Sequence, residues 1–176
     1  MSKRIKPLEP PDSLYLKAAE GWAGLGDLVS ANDELEKITP KLQAHPAVLL
    51  VRYEIYSKAK EWDMATEVSS TLTTLLPENP AVWICFAYST RRKTGGGIPQ
   101  AKEILLEAEP KFPREYLFPF NLACYCSQLH QFEEAEKWMK KAMLIDEKTV
   151  QKMAIDDPDL KPLWESRSGK INKSCD

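Results

Sequence analysis

Ala31, Ala65, Ala101 and Ala135 follow one another at intervals of 34, 36 and 34 residues, each within a similar local pattern. A repeat of this length is too short to bury an apolar face alone. It becomes stable by stacking on its neighbours, so the period predicts helical hairpins in series. The apolar residues follow helical spacing and show no sustained strand alternation, so the predicted class is all-α, an α-solenoid of antiparallel hairpins.

Turn signals divide the chain at regular places. Gly26-Asp27, Lys60-Glu61, Thr94–Gly97 and His130-Gln131 alternate with prolines at 46, 77, 80, 110 and 113. The helices read from these breaks are 13–25, 28–43, 47–59, 62–76, 81–93, 98–109, 115–129 and 132–145. Residues 1–11, basic and proline-rich, form a flexible N-terminal segment with no apolar run behind it, so they do not read as a signal peptide. No stretch of 18 apolar residues is present, which argues against membrane insertion. A cytoplasmic location is expected.

The segment FNLACYCSQLHQFEEAEKWMKKAMLID (120–146) resembles a tetratricopeptide repeat, a helix–turn–helix of 34 residues with large, small and aromatic residues at set positions. Four repeats are assigned on that basis, 12–45, 46–79, 80–115 and 116–149, the third absorbing two extra residues at Gly95-Gly96-Gly97. The second matches poorly at Arg52 and Ser69. The resemblance implies a right-handed superhelix of bacterial type. Small residues such as Ala19, Ala87 and Ala123 are expected where helices approach closely, and Trp22, Trp62, Trp83 and Trp138 are expected in the core. Residues 150–165 form a capping segment: Asp157-Pro158-Asp159 reads as a helix start, with Leu160, Leu163 and Trp164 turned inward. Residues 166–176 form a polar, frayed tail.

Chemistry is sparse. Cys85, Cys124, Cys126 and Cys175 lack the spacing of a zinc knuckle and read as structural thiols. His45 lies at a hairpin junction and His130 in a turn, and the triple glycine lacks the surroundings of a phosphate loop. No nucleophile–base pair or carboxylate dyad is apparent, so no enzyme, metal or cofactor is expected. With 24 basic and 26 acidic residues the net charge is −2, which offers no general attraction for nucleic acid.

The resemblance places the first helix of each repeat on a concave face, which here includes Leu16, Glu20, Leu50, Glu54, Tyr88, Arg91, Arg92, Phe120, Cys124 and Gln128. The Lys and Asn that clamp a C-terminal carboxylate in some family members are absent, since those positions hold Leu and Glu. The implied function is a non-catalytic scaffold that takes a peptide segment of a partner protein against Leu50, Glu54, Tyr88, Arg92 and Phe120, with Tyr88 and Phe120 as anchors. Alternatives are a small export or assembly chaperone holding apolar cargo and a self-associating structural subunit.

Overall fold

The computed structural model describes residues 5–173, with side chains up to residue 167. Cys175 and residues 1–4 and 174–176 lie outside the described residues. No strand occurs among the described residues, and the chain divides into two compact units that meet in sequence at Pro77 and Glu78.

The first unit contains α1 (Asp12–Leu25), α2 (Leu28–Glu36), α3 (Pro46–Ala59) and α4 (Trp62–Leu75). α1 packs on α2, α3 on α4, and α3 also lies against both helices of the first hairpin. Its core includes Ala19, Ala23, Ala31, Leu35, Val48 and Ile55. The second unit contains α5 (Pro80–Thr90), α6 (Ile98–Ala108), α7 (Leu117–Gln128), α8 (Phe132–Asp156) and α9 (Lys161–Lys173). α5 pairs with α6 and α7 with α8, while α6 also packs on α7.

The four spaced alanines, each fully buried, share one position in the second helix of a hairpin. The turns repeat as well. Gly26, Lys60 and His130 all adopt positive φ, of 84°, 60° and 58°. In each case the next backbone N–H returns to a carbonyl five residues back: Asp27 to Trp22, Glu61 to Tyr56 and Gln131 to Cys126. This closes the helix with a left-handed residue, the geometry that glycine adopts most easily and that two larger residues accept here. The third hairpin differs because of its insertion. A side chain at Gly96 would put its Cβ 2.0 Å from the Thr90 carbonyl oxygen, so the widened turn requires glycine there.

Helix starts follow local chemistry. Pro46 and Pro80 stand in the first turns of α3 and α5, where a missing N–H costs nothing. His45 Nδ1 accepts from the Ala47 N–H at 3.2 Å, and Asn79 Oδ1 from the Ala81 N–H at 3.0 Å. The helix expected over 28–43 ends at Glu36, followed by a 3₁₀ turn over Pro40–Leu42, because Pro40 cannot continue an α-helix. Asp12 fixes that corner by accepting from the Thr39 N–H at 2.6 Å.

The N-terminal segment is tied down within the described residues: Leu8 packs on the core of the first unit, and His45 Nε2 lies 2.9 Å from the Lys6 carbonyl. At the other end α8 breaks at Asp146, with φ −149° and ψ 86°, and restarts with the Asp146 carboxylate accepting from the Thr149 N–H at 3.1 Å. A 3₁₀ turn over Pro158–Leu160 leads into α9, which runs to Lys173, so helix occupies much of the stretch read from the sequence as a frayed tail. Trp22 departs from its expected core role, being 41% exposed, whereas Trp83 is buried. No helix among the described residues is long and apolar enough to cross a membrane.

Candidate functional site

In the first unit the expected site residues lie on α3. Leu50 is exposed, beside the buried Val51. Glu54, one turn further on, holds Lys58 at 2.7 Å, and Lys58 also donates to the Ala23 carbonyl at 2.7 Å. Lys58 thereby ties the end of α3 to α1 and partly neutralises Glu54. The face thus presents an apolar side chain next to a paired, half-exposed carboxylate.

In the second unit Tyr88 stands out from α5 with 42% of its surface exposed. The Arg92 guanidinium lies 3.5 Å from the ring centroid and donates to the Tyr88 carbonyl at 2.9 Å. This stacking holds the aromatic side chain in one orientation and leaves a flat cation over it. Phe120 is a correction. It is only 2% exposed, so it is a core side chain and cannot serve as an accessible anchor. Nearly the whole circumference of α7 is buried, from Phe118 through Ser127, because α6, α8, the turn over Pro158–Leu160 and α9 surround it.

The chain itself occupies part of the face expected to receive a ligand. Arg91 grips Asp159 through both guanidinium nitrogens, with Nη2 2.8 Å from Oδ1, and its cation lies 5.3 Å from the Tyr125 ring centroid. Gln128 Nε2 donates to the Asp159 carbonyl at 3.0 Å, the Leu163 N–H donates to Ser127 Oγ at 3.2 Å, and the Cys124 thiol lies 3.8 Å from the Asp157 carboxylate. Leu160 and Leu163 are fully buried. The sequence places Arg91, Cys124 and Gln128 on the ligand face; in the structure they hold the C-terminal segment instead.

Electrostatics follow this closure. The hydrogen bond to Asp159 raises the Arg91 pKa, so the guanidinium stays charged. Burial pushes the Tyr125 phenol up to about 12 and, with the neighbouring Asp157, drives the Cys124 thiol far above its ordinary value. Burial also raises Cys126. Both buried thiols are therefore protonated, poor nucleophiles at neutral pH. Lys102, although opposed by burial, has a raised pKa because Glu134 accepts from it at 2.9 Å; Gln131 accepts from it at 2.8 Å. These are packing contacts between α6 and the start of α8. Among the described residues no group of three or more His, Cys, Asp or Glu side chains is placed to hold a metal ion. A depression of about 890 Å³ in the second unit is open and lined by Lys148, Thr149, Lys152, Met153, Asp156, Asp157 and Pro158.

The Arg91–Asp159 pair was missed in the sequence. Asp157-Pro158-Asp159 marked a helix start, and Asp157 does accept from the Asp159 N–H at 2.9 Å, but nothing local pairs Asp159 with an arginine two repeats earlier.

No protein-family model matches the chain, and no curated protein sequence does. Solved structures do match. TTC0263, a thermophilic TPR protein of Thermus thermophilus, superimposes with a TM-score of 0.62 at 15% identity, over 92% of this chain and 90% of its own. MamA of strain MSR-1 gives 0.60 at 17% identity over 94% and 99%. A Podosopora anserina protein described as a kinesin light chain, with nearly identical TPR-like repeats, gives 0.62 at 17% over 96% and 91%. The chain is a tetratricopeptide-repeat type of protein in its fold, built of antiparallel helical hairpins.

Proposed function

We propose that this protein is a non-catalytic scaffold that binds a segment of a partner protein on the first-helix faces of its hairpins. The observation that carries this reading is the clasp in the second unit. Arg91 at the end of α5 and side chains of α7 hold a short extended-to-turn segment by one bidentate ion pair, one hydrogen bond to a main-chain carbonyl and two apolar side chains. Peptide ligands are held in the same way, by main-chain bonds for affinity and side-chain pockets for choice. A repeat that can seat a peptide in cis has the chemistry to seat one in trans on the faces left open.

Those open faces are Tyr88 near the end of α5 with Arg92 in the turn after it, and Leu50 with Glu54 on α3. Tyr88 offers aromatic area with few rotatable bonds, and the stacked Arg92 favours an acidic neighbour on the ligand. Glu54, already satisfied by Lys58, selects only weakly for a basic one. Photo-crosslinkers placed at Leu50 and at Tyr88 in the full chain should each trap a segment of the partner. Tyr88→Ala should weaken that partner by about 1–3 kcal/mol while the unfolding curve is unchanged. Undiminished binding to well-folded Tyr88→Ala and Leu50→Glu variants would overturn the proposal.

A further inference from the structure

α1 carries an apolar stripe that the described residues of its own unit leave partly or largely uncovered. Leu14 is 61% exposed, Leu25 80% and Trp22 41%. One repeat on from Leu14 stands Val48, and three repeats on stands Phe118; both are fully buried, Val48 in the core of the first unit and Phe118 on α7, which packs against α6. The position is one that these hairpins cover with a helix, and on α1 it has stayed apolar. Gly21 and Gly24 lie on the same outer side. Two glycines inside a helix weaken it, yet a Cβ at either would meet no atom within 4 Å, so no contact among the described residues uses their smallness.

We propose that α1 is a self-association surface that pairs with α1 of a second copy in an antiparallel, two-fold contact. The spacing names the partner. Leu14, Ala18, Gly21 and Leu25 follow at intervals of 4, 3 and 4, a sequence of large, small, small, large that reads the same in both directions. An isologous contact requires such self-complementarity. With the axis between Ala19 and Glu20, Leu14 of one copy meets Leu25 of the other and Ala18 meets Gly21, so the helices approach closely at the centre and are closed by leucine at each end. The exposed parts of Leu14, Trp22 and Leu25 amount to about 400 Å² per copy, the size of patch that marks interaction sites. With a polar rim the pair buries on the order of 1,000–1,200 Å², at the lower bound for specific interfaces, which fits a reversible dimer of micromolar affinity.

Sedimentation equilibrium of the full chain tests this. The wild type should move from 20.0 kDa toward twice that mass as concentration rises through the micromolar range. Gly21→Gln separates the contact from the fold: it replaces a helix-weakening residue with a good helix former, so it should raise the unfolding midpoint while weakening the dimer about tenfold or more. Leu25→Glu should abolish the dimer. A wild type that stays monomeric up to about 1 mM, or a dimer that survives both substitutions, would overturn the proposal.

Discussion

α1 and α7 open the first and fourth repeats and occupy equivalent places in them, yet one is bare along its outer side and the other is buried almost all round. Their sequences do not predict the difference, since both carry large apolar residues at the same register. It comes from what lies beside each helix. α7 has α6 on one side and the chain's own C-terminal segment on another, whereas α1 packs on α2 and α3, with Leu8 against the core they share. In a repeat protein a residue's role is therefore set by its repeat number as much as by its position in the repeat.

Truncating the two helices' outer contacts should give the largest contrast. Leu163→Ala removes a fully buried side chain from the segment that closes α7 and should cost the second unit about 2–5 kcal/mol. Leu14→Ala, at the bare end, should change stability by less than about 0.5 kcal/mol at concentrations where the protein is monomeric. Urea unfolding of both variants measures this. Equal losses would mean that the C-terminal segment does not seal α7.

A smaller effect is expected at the clasp. Arg91 and Asp159 are 20% and 25% exposed, so most of the pair is shielded from water. Arg91→Met leaves Asp159 with an unpaired carboxylate, and Asp159→Asn leaves the guanidinium half-satisfied; each should cost about 1–3 kcal/mol. The double variant should lose much less than the sum, and a double-mutant cycle reads the coupling. The same substitutions should speed thiol labelling of Cys124, followed at its own peptide, because Asp157 and the adjoining turn would leave it uncovered more often.

Smaller still is the effect of pH on the Lys102–Glu134 pair. Lys102 holds the Glu134 carboxyl below its ordinary 4.5, so the pair's contribution is present above that value and fades as pH falls through the lowered folded pKa. Lys102 is raised above 10.5, so on the alkaline side the contribution persists to that value and is lost only beyond it. The difference in stability between wild type and Glu134→Gln should be flat across neutral pH and shrink below about pH 4. With Glu134 42% exposed, solvent screening keeps it under about 1 kcal/mol.

Much of the fold was legible because the signals are local. The alanine period, the proline starts and the turn residues each act within a few positions of themselves, and α3 through α7 begin and end close to where those signals place them. Tyr88 and Leu50 were legible as exposed first-helix residues for the same reason. What was not legible depends on distant chain. The capture of Arg91 follows from the return of residues 157–163 to α7, and Phe120 is buried where α6, α8 and that returning segment surround its helix. Register names which side of a helix a residue occupies; it does not say whether that side is filled.

Arg52 is the subtlest case, because it breaks the repeat pattern and yet fits. It stands where the first helix of a repeat ordinarily carries an apolar residue, and its counterpart in the fourth repeat, Leu122, is fully buried. In α3 the Arg52 side chain is 15% exposed and reaches Glu36 of α2 through both Nη1 and Nη2 at 3.2 Å, while Glu36 itself is 53% exposed. The stem covers apolar surface and the head stays at the edge with its partner. Because one member of the pair is largely in water, the attraction is worth less than about 1 kcal/mol, and burying the guanidinium head opposes it. Arg52→Leu exchanges that near-cancellation for apolar burial on the same face, so the unfolding midpoint should stay constant or rise slightly, and Arg52→Leu with Glu36→Gln should match the single variant. A loss above about 1 kcal/mol would show that the Arg52–Glu36 pair, rather than the packing of its stem, holds α2 to α3.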